Sequence, residues 1–185
     1  MSKNEQRILK QSSFISADTI HPDLFNTINL VYNPGGLKHS QPVMELESVE
    51  YGACTFKLNE LSIKFRVAKI TPTKIGQFVT LWKRNGNGPI QPFDISDPID
   101  FFIICTRKDD HFGQFVFPKS VLSEQDIISI NGKGGKRGIR VYPSWDKTLS
   151  RQAQNTQKWQ VKYFIDLSDN NKIKLARDQM HCLLA

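Results

Sequence analysis

From Pro22 to Tyr32 the apolar residues Leu24, Phe25, Ile28, Val31 and Tyr32 recur at the spacing of one helix face, and the NPGG run at 33–36 closes the pattern. This predicts an amphipathic helix with Pro22 in its first turn. The texture then changes to strands. Residues 42–49 alternate loosely, and 51–58 and 61–70 are two runs joined by Asn59-Glu60, which reads as a hairpin. Residues 77–84 are apolar on both faces, Phe78 and Trp82 on one and Val79 and Leu81 on the other, as expected of a central strand. Residues 101–107 and 112–117 predict two more strands around a charged Lys-Asp-Asp-His turn. A short helix over 118–128, a short strand over 139–142 and a helix over 149–167 follow, the last from the stripe Leu149, Ala153, Thr156, Gln160, Tyr163, Phe164 and Leu167. Helix, strands, helix in that order predicts an α/β (α+β) fold with a central mixed sheet flanked by helices. Residues 1–17 read as an N-terminal tail, 18–167 as a single domain, and 168–185 as a helical C-terminal extension.

Charge changes this picture more than composition does. The 185 residues carry a net charge of +7, with 39% apolar residues, 12 Phe and 3 Trp, which fits one folded domain. The positive charge is segregated. Residues 57–84 hold seven Lys/Arg against Glu60, and residues 131–158 hold seven against Asp146, leaving 11 Lys/Arg and 16 Asp/Glu elsewhere. Such segregation points to an acidic partner, with nucleic acid first and an anionic membrane surface second. No apolar run approaches the ~18 residues that span a bilayer, and the three cysteines are widely spaced, so a cytoplasmic protein with free thiols and no membrane partner is expected.

The most unusual stretch is Asn131–Trp145, NGKGGKRGIRVYPSW, with four glycines, four cations, two aromatics and no acid. It is not a nucleotide-binding P-loop, since Ile130 stands where the first glycine belongs and Arg137 follows Gly135-Lys136. Exposed backbone N–H groups with Lys133, Lys136 and Arg137 suit phosphate contact; a plain hairpin tip is the other reading. On residues 61–70, strand parity places Ile63, Phe65 and Val67 on one face and Lys64 and Arg66 on the other. Lys69 shares the apolar parity, so it either contacts a phosphate from a pocket or snorkels at the sheet edge. Glu45, Glu47 and Glu50 precede this hairpin as candidate metal ligands or as ordinary surface acids, while Asp94, Asp97 and Asp100 lie among prolines and suit turns. The four histidines have no ligand spacing.

Several strings in order carry a resemblance: SQPVMELESVEYGACTF (40–56), VAKITPTKIGQFVTLWKR (67–84), DPIDFF (97–102), HFGQFVFPKSVL (111–122), GKGGKRGIRVYPSWD (132–146) and QAQNTQKWQ (152–160). From about residue 22 to 166 the chain resembles the MepB family of bacterial proteins. The resemblance implies a core like that of the PD-(D/E)xK (restriction-endonuclease-like) nucleases, whose catalytic strand carries an acid, any residue, then lysine. Here the corresponding triplet reads Val67-Ala68-Lys69, and valine binds no metal.

The expectation is therefore a nucleic-acid-binding domain that does not cut. Lys64, Arg66, Lys69, Lys74, Lys83 and Arg84 form one basic wall and Lys133, Lys136, Arg137, Arg140 and Arg151 the other, with Tyr142 and Trp145 stacking on bases. The aromatics and the lack of a groove-reading helix favour RNA or single-stranded DNA over duplex DNA. No cofactor is expected. Two alternatives stand beside this reading. One is a magnesium-dependent nuclease using Glu47, Glu50 and Lys69; the other is a regulatory module that docks on an acidic protein.

Overall fold

The computed structural model describes residues 20–185. The expected tail over 1–17 lies outside the described residues. Helix α1 (Pro22–Thr27) starts on His21, whose Nδ1 accepts from the Asp23 N–H at 3.1 Å, and runs on as a π-helical turn, Ile28–Tyr32. The strands are β1 (Val43–Met44), β2 (Cys54–Leu58), β3 (Leu61–Val67), β4 (Lys69–Thr71), β5 (Lys74–Thr80), β6 (Trp82–Arg84), β7 (Ile90–Pro92), β8 (Phe101–Lys108), β9 (His111–Pro118), β10 (Gly138–Val141) and β11 (Phe164–Asp166). Helices α2 (Lys119–Glu124), α3 (Arg151–Gln160) and α4 (Asn170–Leu184) complete the fold.

A six-stranded mixed sheet, β1-β2-β3-β8-β9-β11, forms the centre, antiparallel except where β3 runs parallel to β8. The β2–β3 hairpin turns at Asn59-Glu60 and the β8–β9 hairpin at Asp109-Asp110, with Asn59 and Asp109 in the left-handed region. One face of the sheet, with Ile63, Phe65, Val67, Ile103, Cys105 and Val116, packs under α1, the π turn and α4. The C-terminal helix belongs to this core through Ile173, Ala176 and Met180, and its Arg177 and His181 donate to the carbonyls of Leu30 and Gly35 around the π turn. The other face, with Phe102, Ile104, Phe115 and Phe117, is covered by a second layer: the three-stranded sheet β10-β5-β4, α2 and Trp159 of α3.

The second layer corrects four expectations. The 61–70 run is two strands: at Ala68 the chain leaves the large sheet, its N–H still bonded to the Cys105 carbonyl at 2.9 Å, and β4 begins the small one. The 77–84 run is the centre of the small sheet only as far as Thr80. Leu81 breaks it, giving its N–H to the Arg137 carbonyl, and β6 pairs separately with β7. The 149–167 helix ends at Gln160, and Phe164–Asp166 instead forms the edge strand beside β9. The 118–128 helix is confined to Lys119–Glu124.

The 42–49 strand keeps two residues, because the chain beyond Met44 serves an electrostatic need. Arg66 lies on the second-layer face of β3 and is only 1% exposed, so its charge requires a partner. Glu45 supplies it, with Oε2 2.6 Å from Arg66 Nη2 and Oε1 2.8 Å from Lys64 Nζ. Burial pushes the Glu45 carboxyl up, but the two cations outweigh it and hold it below its ordinary value. Removing Glu45 strands a buried guanidinium. Glu45→Ala is expected to cost roughly 3–5 kcal/mol in urea unfolding, and Glu45→Ala/Arg66→Met substantially less, because the double variant leaves no buried charge. Because the Glu45 pKa is depressed, its contribution is complete above the unfolded value of about 4.3 and fades as pH falls through the lower folded value. Acid titration of stability in wild type, and its loss in Glu45→Ala, checks the sign.

Candidate functional site

A cleft of about 730 Å³ opens between the small sheet and the start of α3. Its basic and aromatic lining comes from three places: Lys74 at the start of β5, Lys136 on the glycine loop, and Arg140 and Tyr142 on and just after β10, with Trp159 behind. Strand β10 is placed by antiparallel pairing with β5, Arg140 opposite Phe78 and Val141 opposite Gln77. Its other edge has no strand. Two glutamines of α3 stand in for one. Gln160, fully buried, accepts the Tyr142 N–H at 2.9 Å and donates to the Arg140 carbonyl at 3.1 Å. Gln157 donates to the carbonyls of Pro143 and Asp146 at 2.9 and 2.8 Å. The spacing of three puts both amides on one side of the helix. Gly76, at φ +81°, leaves room for the Tyr142 ring: a Cβ there would come within 2.6 Å of it.

The loop before β10 is held by acids from outside it. Asp94 accepts from the Gly132 N–H at 2.9 Å, the Ser129 hydroxyl at 2.7 Å and Ser96, and these donors, Gly132 first, hold its carboxyl well below the usual carboxylate range. Asn131, Gly132, Gly134 and Gly135 all have positive φ, the backbone shape that glycine tolerates. At Gly135 a Cβ would also sit 2.7 Å from Pro92. The backbone is pinned, while Lys133, Lys136 and Arg137 are exposed and form no ion pair among the described residues. Arg151 lies exposed on the first turn of α3, next to the cleft-lining Ser150 and Gln152.

The other expected wall is largely occupied. Lys64 and Arg66 share Glu45, Lys83 pairs with Asp97, and Arg84 pairs with Glu47 at 2.7 Å and donates to the Gly88 carbonyl. The face carrying Lys64 and Arg66 is not a solvent face; it is covered by the second layer, and Arg66 is out of reach of any phosphate. Lys69 sits at neither a core nor a pocket position. Once the chain changes sheet at Ala68, Lys69 is exposed, with Nζ 4.8 Å above the Tyr51 ring. Trp145 is not a free stacking platform: its ring stacks on His111 at 5.0 Å and meets Phe164 edge-on at 5.2 Å.

The residues named for a magnesium-dependent nuclease do not fit the metal. Val67 is buried at the end of β3 opposite Cys105, Glu47 is engaged by Arg84, and Glu50 is exposed on a 3₁₀ turn. Among the described residues no three His, Cys, Asp or Glu side chains converge as ligands.

Sequence reasoning missed the glutamines, although the Gln157/Gln160 spacing was a usable signal. It also missed a second cavity, of about 390 Å³, lined by Gln77, Trp145, Asp146 and Lys108. Lys74 and Ile75 line both cavities. Gln160→Leu, which keeps the bulk and removes both bonds, is expected to cost about 2–4 kcal/mol, because two buried backbone groups lose partners at ~1–3 kcal/mol each. Thermal unfolding measures the loss, and amide exchange at Tyr142 rises with it.

A family model described as MepB-like matches residues 45–166. A crystal structure of MepB is similar at 30% identity and a TM-score of 0.68, covering 91% of this chain and 99% of that chain. The structure of a bacterial homing endonuclease aligns at 13% identity and a TM-score of 0.45, covering 82% of this chain and 93% of that one. No curated protein matches. The chain belongs to the MepB-like family.

Proposed function

We propose that the protein binds single-stranded nucleic acid, RNA or single-stranded DNA ahead of duplex DNA, on a nuclease-like scaffold and without cutting the strand. One observation carries the reading. The cations left without carboxylate partners gather at one cleft, which also holds Tyr142 and Trp159. A groove that pairs cations with aromatic rings suits a strand whose phosphates and base faces are both accessible. No helix long enough to read a major groove lines the cleft; α3 contributes its capped start and its side.

Cleavage is left out of the reading because the family-pattern acid is Val67 and the substitute acids are engaged or apart. No helix among the described residues is long and apolar enough to cross a membrane, so the free cations are assigned to a strand and not to a bilayer-spanning role.

Fluorescence anisotropy with labelled single-stranded RNA, single-stranded DNA and duplex tests the proposal. Affinity for single strands is expected to fall with salt at a log–log slope of about −0.7 per neutralised phosphate. Lys74→Ala/Lys136→Ala, which removes two exposed cations, makes that slope shallower by roughly 1.4. Absence of binding at low salt overturns the proposal. Strands shortened in magnesium on a denaturing gel overturn the non-cleaving part and restore the nuclease reading.

A further inference from the structure

The second cavity has a hydrogen-bonding pattern that the chain itself does not satisfy. Three of its lining residues carry a buried polar atom without a partner: Gln77 Nε2, Trp145 Nε1 and Asp146 Oδ2. Gln77 is 1% exposed and Asp146 8% exposed, so neither is a surface residue whose free atom needs no explanation. The orientation of the Gln77 amide is fixed by its other end, because Oε1 accepts the Arg107 N–H at 3.4 Å and leaves the NH₂ as the free group. The indole of Trp145 is fixed by His111 on its face and Phe164 at its edge. The cavity therefore offers two donors and one acceptor on immobilised side chains.

That count is selective among the bases. The Watson–Crick edge of cytosine or uracil presents two acceptors and one donor, the complement of this set. Guanine presents the reverse, two donors and one acceptor, and adenine one of each. An unpaired buried partner on either side is costly, so a mismatched count discriminates strongly. The volume, about 390 Å³, is near the lower end of ligand pockets at roughly 300–1,000 Å³, a size for one base and not a run of them. Lys74 belongs to both cavities, and Lys108 and Lys147 line the second, so a strand held in the first cleft reaches it along a lip of cations. Asp146 is engaged only by Lys108, at 3.6 Å from Oδ1, which leaves Oδ2 for a base N–H.

We infer that this cavity takes a single unpaired pyrimidine base from the bound strand, with Gln77 and Trp145 donating to its two acceptors and Asp146 accepting from its one donor. The inference rests on the single-strand reading above and adds a base preference to it.

The test compares labelled 12-nucleotide oligouridylate, oligocytidylate and oligoadenylate at one salt concentration. The indole ¹H–¹⁵N signal of Trp145 is followed in parallel, assigned by its disappearance in Trp145→Phe. The pyrimidine strands are expected to bind about tenfold tighter than oligoadenylate, the low end of discrimination by paired polar contacts, and to shift the Trp145 signal, which oligoadenylate leaves in place. Trp145→Phe keeps the stacked ring and removes only the donor, and Gln77→Met removes the other. Each is expected to bring the preference towards unity while leaving oligoadenylate affinity unchanged, a pattern that misfolding does not produce. Equal binding of all three strands with no shift at Trp145 overturns this inference and leaves single-strand binding standing. No binding by any strand overturns both. Uridine or cytidine 5′-monophosphate matching the oligomers in affinity overturns the assignment to a strand and makes the cavity a free-nucleotide site.

Discussion

The buried charge of Arg66 is the constraint from which much of the architecture follows. Strand β3 has to be apolar towards α1 and α4, and its other face lies under a second layer, so the guanidinium is removed from water and must be neutralised locally. Glu45 meets that demand only if the chain leaves β2's edge after two residues of β1 and bends over the sheet. Two left-handed residues, Ser48 and Gly52, make the bend and carry the intervening 3₁₀ turn, which sets Tyr51 against Phe78 of β5. The same segment sends Glu47 to Arg84. A single internal ion pair thus ties the first strand, the third strand and the small sheet together. Three cations that look like a binding surface in the sequence (Lys64, Arg66 and Arg84) are engaged by the two glutamates of this segment.

The division between structural and free cations is a matter of which acids lie within reach. The two basic segments are alike in composition, each with seven Lys/Arg and one acid. The first sits beside Glu45, Glu47 and Asp97, and four of its cations are paired. The second meets acids that are otherwise engaged: Asp94 takes backbone and hydroxyl donors at the loop, and Asp126 lies within 3.4 Å of the Gly135 N–H. These carboxylates stabilise the loop's backbone and leave Lys133, Lys136 and Arg137 facing solvent. A shaped backbone with unneutralised side chains differs physically from a flexible basic tip, because less entropy is lost when a phosphate docks.

Much of the fold was legible because the large sheet obeys a period of two. The faces of β3, and the hairpins at Asn59-Glu60 and Asp109-Asp110, follow from alternation and turn residues alone. What failed was continuity. Tyr163, Phe164 and Leu167 extend the helical stripe of α3 by coincidence of spacing, whereas Phe164 and Ile165 are strand residues beside β9. Ala68 gives no sign in the sequence that the chain changes sheet there, so Lys69 was assigned a parity it does not have. For the site, the glycine-rich loop announced itself through φ-permissive residues and charge. The parts that hold it, Asp94 and Gln160, lie 38 residues before Gly132 and 18 after Tyr142, and local patterns do not carry such pairings.

The two cavities make most sense taken together. The first is lined by solvent-facing cations and two rings, a surface indifferent to base identity. The second offers buried, fixed and unsatisfied hydrogen-bonding atoms, the kind that discriminate because mismatching them is costly. They meet at Lys74 and Ile75, where β5 begins. Strand β5 also pairs with β10, which Gln160 clamps to α3, and with β4, which leads back to the charge-neutralised end of β3. Backbone pairing therefore connects the ion pair that organises the core to the lip between the cavities, and a change at either end alters how far Lys74 stands from Gln77.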